Sequence, residues 1–236
     1  MNNETRENHD EGKQAAPAST CRVLIVDDHP ILRDGLSRLI QSEKDLVLCG
    51  QAEDAAAALR QIEADPPDVA VVDIFLPGST NGIELTKAIL AVRPNVKVLI
   101  LSMHDDAIYV ERALKAGASG YVTKQEVSHV ILDAIRKVRA GGTYAGGRAS
   151  SVPPPAGSGV VAERKGLGIN ALTDRELELL EMFGRGFSRS QIADRLRLSV
   201  KTVEAHREHI RTKLGLKSSG ELLRYALRWL ERAGKK

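Results

Sequence analysis

Between residues 21 and 140 the chain alternates, five times over, a short apolar run with a stretch whose apolar residues recur at helical spacing. The runs are Val23 to Val26, Leu46 to Gln51, Val69 to Asp73, Val96 to Leu101 and Gly120 to Thr123. Helical stretches follow at Pro30, with Ile31, Leu32, Leu36, Leu39 and Ile40 on one side, and at Asp54 to Ala64, Gly82 to Val92, Asp106 to Ala116 and Val127 to Ala140. Runs that are β-branched and nearly continuously apolar are buried on both faces. The pattern therefore predicts an α/β fold, a doubly wound five-stranded parallel sheet covered by helices on both sides. Such sheets bind ligands beyond the carboxyl ends of the strands, where the strand order reverses. Asp27, Asp28, Asp73 and Ser102 are expected at those ends.

The periodicity stops at residue 141. Gly141-Gly142, Gly146-Gly147, Pro153-Pro154-Pro155 and Gly157-Ser158-Gly159 mark a flexible linker over 141–168. Beyond it the pattern is all-helical. Thr173-x-x-Glu176 opens a helix carrying Leu177, Leu179, Leu180 and Phe183, Ser188-x-x-Gln191 opens a short second helix, Ser199 caps a third, and Ser218-x-x-Glu221 opens a fourth. A short helix, a tight turn and a basic helix outline a helix-turn-helix. The expected organisation is a disordered tail over 1–20, an α/β domain over 21–140, the linker, and a small all-α domain over 169–236.

Charge divides the same way. Residues 21–140 hold 14 Lys+Arg against 17 Asp+Glu, whereas residues 141–236 hold 18 against 10, so the basic half is the one suited to a polyanion. No apolar run reaches the roughly 20 residues that span a bilayer, and Met1 to Thr20 has no apolar signal-type core. A cytoplasmic protein without a membrane partner is expected. Its two cysteines, Cys21 and Cys49, are read as reduced packing residues.

A carboxylate at the end of a buried strand is costly unless the strand's mouth uses it. Asp27, Asp28 and Asp73 at neighbouring ends repel one another unless a cation is shared, and oxygen ligands beside a phosphate suit Mg²⁺. Ser102 offers a hydroxyl and Lys124 an ammonium. Together they can orient a phosphoryl donor for attack by an Asp carboxylate.

The motifs Val26-Asp27-Asp28-His29-Pro30, Val71-Val72-Asp73-Ile74-Phe75-Leu76-Pro77-Gly78, Leu101-Ser102-Met103-His104 and Gly120-Tyr121-Val122-Thr123-Lys124 resemble those of two-component response regulators. The resemblance implies a flavodoxin-like receiver in which Asp73 accepts a phosphoryl group from a sensor histidine kinase. It implies that Asp27, Asp28, Asp73 and the Phe75 backbone carbonyl hold Mg²⁺, Asp27 mainly through metal-bound water. Lys124 pairs with the phosphate, Ser102 swings inward and Tyr121 follows. Phe75 and His104 occupy the positions where the family tunes hydrolysis of its acyl phosphate, and bulky Phe75 is expected to lengthen the phosphorylated lifetime. Gln125 stands where the family commonly has proline.

The third helix of the back half, Lys201-Thr202-Val203-x-x-His206-x-x-x-Ile210-x-x-Lys213-Leu214, with the upstream Leu172-Thr-Asp-Arg-Glu176, resembles the LuxR-type, or NarL/FixJ-type, DNA-binding domain. Lys201, Thr202, His206, Arg207 and Lys213 are the expected phosphate contacts, and Glu204, Ala205 and Glu208 the residues facing base edges. On the fourth helix, Leu222, Tyr225, Ala226 and Trp229 are divided between closing the core and pairing two DNA-bound copies on inverted half-sites. The chain departs from the family pattern at Gln191, His209 and Ser219-Gly220.

These readings converge on a phosphorylation-dependent transcription regulator that dimerises when phosphorylated, not an enzyme. An aspartate-nucleophile phosphatase fused to a DNA-binding module is disfavoured because Ile74 and Phe75 follow Asp73 where that chemistry needs a second acid. His206 and His209 lie three apart, but no further Cys or His stands near them in sequence, which argues against zinc.

Overall fold

The computed structural model describes residues 20–103, 107–145 and 168–233. The expected tail, most of the expected linker and His104 lie outside the described residues. Strands β1 (Cys21–Val26), β2 (Leu46–Ala52), β3 (Val69–Asp73), β4 (Lys97–Ser102) and β5 (Gly120–Thr123) alternate with α1 (Pro30–Gln41), α2 (Ala55–Ala64), α3 (Gly82–Val92), α4 (Ala107–Lys115) and α5 (Val127–Arg139).

Local chemistry sets the helix starts. Pro30 occupies the first turn of α1, where its missing N–H is no loss. The Asp54 carboxylate accepts from the Ala57 N–H, and Asn81 with Glu84 makes a reciprocal capping box. In β1, Val23 and Ile25 face α1 and α5, while Leu24 and Val26 face the α2 to α4 side. Both faces are covered, as the continuous apolar runs require.

The sheet departs from expectation at one edge. The strand order is β2-β1-β3-β4-β5-β6, all pairs parallel, and the sixth strand is Tyr144–Ala145, inside the stretch read as linker. Two residues are too few to show a period in sequence. Gly120 makes the pairing possible, since a Cβ there would lie 2.8 Å from the Tyr144 carbonyl oxygen. The order reverses between β1 and β3, and their register sets Val26 beside Val72. Asp27 and Asp73 therefore leave the sheet side by side at the switch point.

After a 3-10 turn at Ile169–Ala171 come α6 (Asp174–Gly184), α7 (Arg189–Leu196), α8 (Val200–Lys213) and α9 (Ser219–Ala233). Leu179, Leu180, Phe183, Ile192, Val203, Ile210, Leu222 and Ala226 form their core. Leu222 and Ala226, 2% and 0% exposed, are thereby corrected from dimer-surface candidates to core residues, because α6 packs over that side of α9. The outward apolar residues of α9 are Leu223 and Leu227.

All 11 residues of α6 are buried. One side closes the small core and the other lies on the α/β domain, where Leu177 joins that domain's apolar cluster. The Tyr109 hydroxyl donates to Glu181 at 2.7 Å. Arg112 donates to the Ile169 and Leu172 carbonyls and to Asp174 at 2.9 to 3.1 Å, and Lys87 reaches Asp174 at 3.2 Å. The Gly78 N–H donates to the Leu196 carbonyl at 2.7 Å, and Arg175 donates back to the Gly78 carbonyl.

Gly82 lets α3 start directly under β3: a Cβ there would sit 2.1 Å from the Asp73 carbonyl oxygen and 2.9 Å from Ile74 Cα. Both are backbone atoms and cannot step aside alone. Gly82→Ala is expected to destabilise the protein by about 1 to 3 kcal/mol, read as a lower urea midpoint.

Candidate functional site

The carboxyl ends of β1, β3, β4 and β5 converge on a buried ionic cluster. Lys124 Nζ lies 2.7 Å from Asp73 Oδ2 and 2.7 Å from Asp27 Oδ2. The Phe75 N–H donates to Asp73 Oδ1 at 3.3 Å. Asp27 and Asp73 are fully buried, and Ser102 is buried at the end of β4. Burial pushes the Asp73 carboxyl up, to about 7; Asp27 adds to the rise and Lys124 opposes it. Burial works against the Lys124 charge, but Asp73 and Asp27 outweigh it and hold the ammonium above its ordinary range.

His29 completes the cluster, a residue whose place in the sequence motif carried no assigned role. Its N–H donates to Asp27 Oδ1 at 2.8 Å, and its Nδ1 lies 2.8 Å from Asp28 Oδ1 and 3.0 Å from Asp27 Oδ1. Donor atoms of Asp27, Asp28, His29 and Asp73 all lie within 4.8 Å of one another. Asp27 Oδ2 and Asp28 Oδ1 are buried and face the Lys124 ammonium at 2.7 Å and His29 Nδ1 at 2.8 Å. Three carboxylates set against one ammonium leave uncompensated negative charge. A hard divalent cation with oxygen ligands fits that deficit.

The cluster opens into two cavities. One, of about 710 Å³, is lined by Asp73, Lys124, Phe75 and Met103 together with Ile31, Leu32 and Leu36 of α1 and Arg195 of α7. The other, of about 190 Å³, lies between the domains and joins Asp28, His29 and Phe75 to Glu178, Glu181 and Arg185 of the small domain. Burial pushes Glu178 up to about 7; Arg175, its buried ion-pair partner, opposes the shift, and Asp73 and Glu181 add to it. Tyr109, buried and pushed well above its usual range by burial and Glu181, packs edge-on against Phe75 with ring centroids 5.8 Å apart. Tyr121 is buried in the same apolar cluster. Phe75 thus both lines the pocket and packs. Tyr109, Arg112, Glu178 and Glu181 carry no local motif, and Arg175, though inside the Leu172 to Glu176 motif, has no role legible there, because what each does depends on the other domain.

On α8, Lys201 and Ala205 are exposed, and Thr202, Glu204, His206, Arg207 and Glu208 are half-buried. The acids are already paired: Glu204 with Arg207 at 2.8 Å and Arg189 at 3.0 Å, Glu208 with Arg211 at 2.9 Å. Thr202 is tied to the Ser199 cap, its N–H donating at 3.0 Å. Lys213 reaches back to buried Glu176 at 2.6 Å, so it also fastens α8 to α6. The docked face is α6; the outward side of α8 is not covered.

The response regulator receiver domain family matches residues 23–136, and the luxR family of bacterial regulatory proteins matches residues 170–226. Over 217 residues the chain is 35% identical to the oxygen regulatory protein NreC of Staphylococcus carnosus, covering 88% of this chain and 97% of that protein. A LuxR-family two-component response regulator from Aurantimonas sp. SI85-9A1 is 39% identical, with TM-score 0.51 over 53% of this chain and 89% of that one. RcsB of Salmonella enterica serovar Typhimurium, solved on promoter rprA with the phosphomimetic BeF3-, is 25% identical, with TM-score 0.53 over 88% of this chain and 98% of that one. The chain belongs to the two-component response regulators with a LuxR-type DNA-binding domain. Response regulators receive phosphate from histidine kinases and bind DNA. No helix among the described residues is long and apolar enough to cross a membrane.

A raised folded-state carboxyl pKa means the charged form is penalised on folding. In Mg²⁺-free buffer the Asp73 contribution is absent below about pH 4 and becomes increasingly unfavourable as pH rises toward about 7. Asp73→Asn is expected to gain on the wild type across that window, by at least about 1 kcal/mol at pH 8, measured by urea unfolding at a series of pH values.

Proposed function

We propose that the protein is a phosphorylation-dependent DNA-binding transcription regulator in which Asp73 accepts a phosphoryl group from a sensor histidine kinase. The observation that carries this reading is the buried Asp73 carboxylate, 2.7 Å from the Lys124 ammonium and within 4.8 Å of Asp27 and Asp28. Asp27, Asp28, Asp73 and the Phe75 carbonyl would hold Mg²⁺, which when bound offsets the negative charge gathering on donor and acceptor. Lys124 pairs with a transferred phosphoryl oxygen, Ser102 donates its hydroxyl to another, and Tyr121 follows Ser102 inward. The receiver works over 21–140 and the DNA-binding unit over 169–236.

The consequence of phosphorylation runs through α6. The acyl phosphate carries roughly −1.5 to −2 of charge where the ionised Asp73 carboxylate carried one, a net gain of up to about one negative charge, beside the cavity that Glu178 and Glu181 share with Asp28 and His29. Those buried acids then face more negative charge, and the docked state of α6 loses ground to the released one. A TM-score of only 0.53 against a relative covered over 98% of its length supports two similar domains set at a different mutual angle.

Released domains pair through the outward face of α9, where Leu223 and Leu227 are exposed; Tyr225 and Trp229 are half-buried and pack against the core on the helix's other side. Two copies then read inverted half-sites. Lys201, Thr202, His206, Arg207 and Lys213 contact phosphates. Ala205 and, once freed from their arginines, Glu204 and Glu208 meet base edges.

Acetyl phosphate or a cognate kinase with Mg²⁺ is expected to label the wild type and not Asp73→Asn, and to raise DNA affinity in gel-shift titrations only in the wild type. Equal labelling of both proteins would sink the assignment. Arg112→Ala removes three bonds between the domains and is expected to raise the DNA affinity of the unphosphorylated chain about tenfold, the equivalent of about 1.4 kcal/mol. An unchanged affinity would mean that α6 docking does not restrain the domain.

A further inference from the structure

Packing of α6 across α8 brings the Glu176 carboxylate to the two histidines that sequence spacing left without a third donor. One ligand atom from each of Glu176, His206 and His209 lies within 4.8 Å of the others. We infer that Glu176, His206 and His209 form a binding site on the recognition helix for a borderline divalent cation of the Zn²⁺ class.

The donor set is two imidazoles and one carboxylate, the set that binds such cations with a fourth position left to water. His206 and His209 are three apart on one helix, on neighbouring rows of its surface, with ring centroids 6.5 Å apart. Zn–N bonds of about 2.0 to 2.1 Å put tetrahedral donors about 3.3 Å from each other, so the cluster must tighten by up to about 1.5 Å. His209 is exposed and can turn to do so, whereas Glu176 is buried and fixed. The Thr173 N–H and Lys213 Nζ both bond Glu176 Oε2 and hold the carboxylate in place.

Burial also holds the His206 imidazole below its usual range, toward the neutral form that ligates. The Lys213 ammonium is the competitor. It sits on a flexible stem, 36% exposed, and has to swing outward when the cation enters. Three ligands and one displaced ammonium make this a weaker site than a closed four-ligand one, with a Zn²⁺ Kd on the order of micromolar.

His206 and Lys213 are also the phosphate contacts proposed above. An occupied site therefore withdraws the first and moves the second, a consequence that rests on that DNA-binding reading.

The test is Zn²⁺ competition against a chromophoric chelator, on the full chain, with excess Mg²⁺ present to hold the acidic pocket. The wild type is expected to take up one equivalent, and His209→Ala to bind at least tenfold more weakly. His209 is exposed and outside the DNA contacts, so this variant should keep its melting temperature and its zinc-free DNA affinity. Glu176→Gln serves as the second ligand variant, with Co²⁺ absorption as its readout. An unchanged Zn²⁺ affinity in His209→Ala, or no uptake by the wild type, overturns the site. In gel shifts, Zn²⁺ is expected to weaken DNA binding several-fold in the wild type and not in His209→Ala. Full DNA affinity in the zinc-loaded wild type overturns the coupling. Absence of DNA binding even without zinc counts against the function reading, and the chelator competition still decides the site.

Discussion

The Lys124 ammonium, 2.7 Å from both Asp73 and Asp27, is the interaction on which the rest of the molecule depends. Two carboxylates leave the sheet side by side because β1 and β3 are neighbours, and the interior that surrounds them offers little water. Removing that ammonium would strand the buried carboxylates it faces, a loss that typically costs about 3 to 5 kcal/mol. One ammonium cannot balance three acids, so the pocket is held in an intermediate condition, folded yet short of positive charge. That deficit suits a divalent cation, and under the proposed function it is what an arriving phosphoryl group acts on.

The same deficit extends across the domain boundary. Glu178 and Glu181 bring further carboxylates to a cavity that already holds Asp28 and His29, and Arg175 and Tyr109 keep them there. Helix α6 is thus buried twice, by the small core behind it and by the receiver in front. Its receiver-side contacts are dominated by ion pairs and hydrogen bonds, which respond to a change in local charge far more than an apolar seam does. Docking leaves the outward side of α8 exposed, so under the proposed function it restrains DNA binding through where the domain is held rather than by covering the recognition helix.

Much of the fold was legible in the sequence because its signals are local. Continuous β-branched runs required burial on both faces, and Thr173, Ser188 and Ser199 marked helix starts through bonds made within one turn. The sixth strand escaped because Tyr144 and Ala145 gain their partners from Gly120 and Tyr121, not from any pattern of their own. On α9, spacing alone could not separate Leu222 and Ala226 from Leu223 and Leu227, since all four are apolar and only the packing of α6 chooses the buried pair. Glu176 was legible as a capping residue. Its proximity to Lys213, His206 and His209 was not, because those residues lie 30 or more positions away.

By itself the sequence determined the alternation of strands and helices, the presence of an acidic set at strand ends, and the basic helix-turn-helix, for these depend on side-chain period and on capping chemistry within a few residues. Only the tertiary structure decided that Lys124 sits between Asp27 and Asp73, that His29 closes the cluster, and that α6 lies on the receiver with its acids toward the pocket. Those facts depend on strand order and domain docking, where residues distant in the chain are brought within the few ångströms over which charge and hydrogen bonding act.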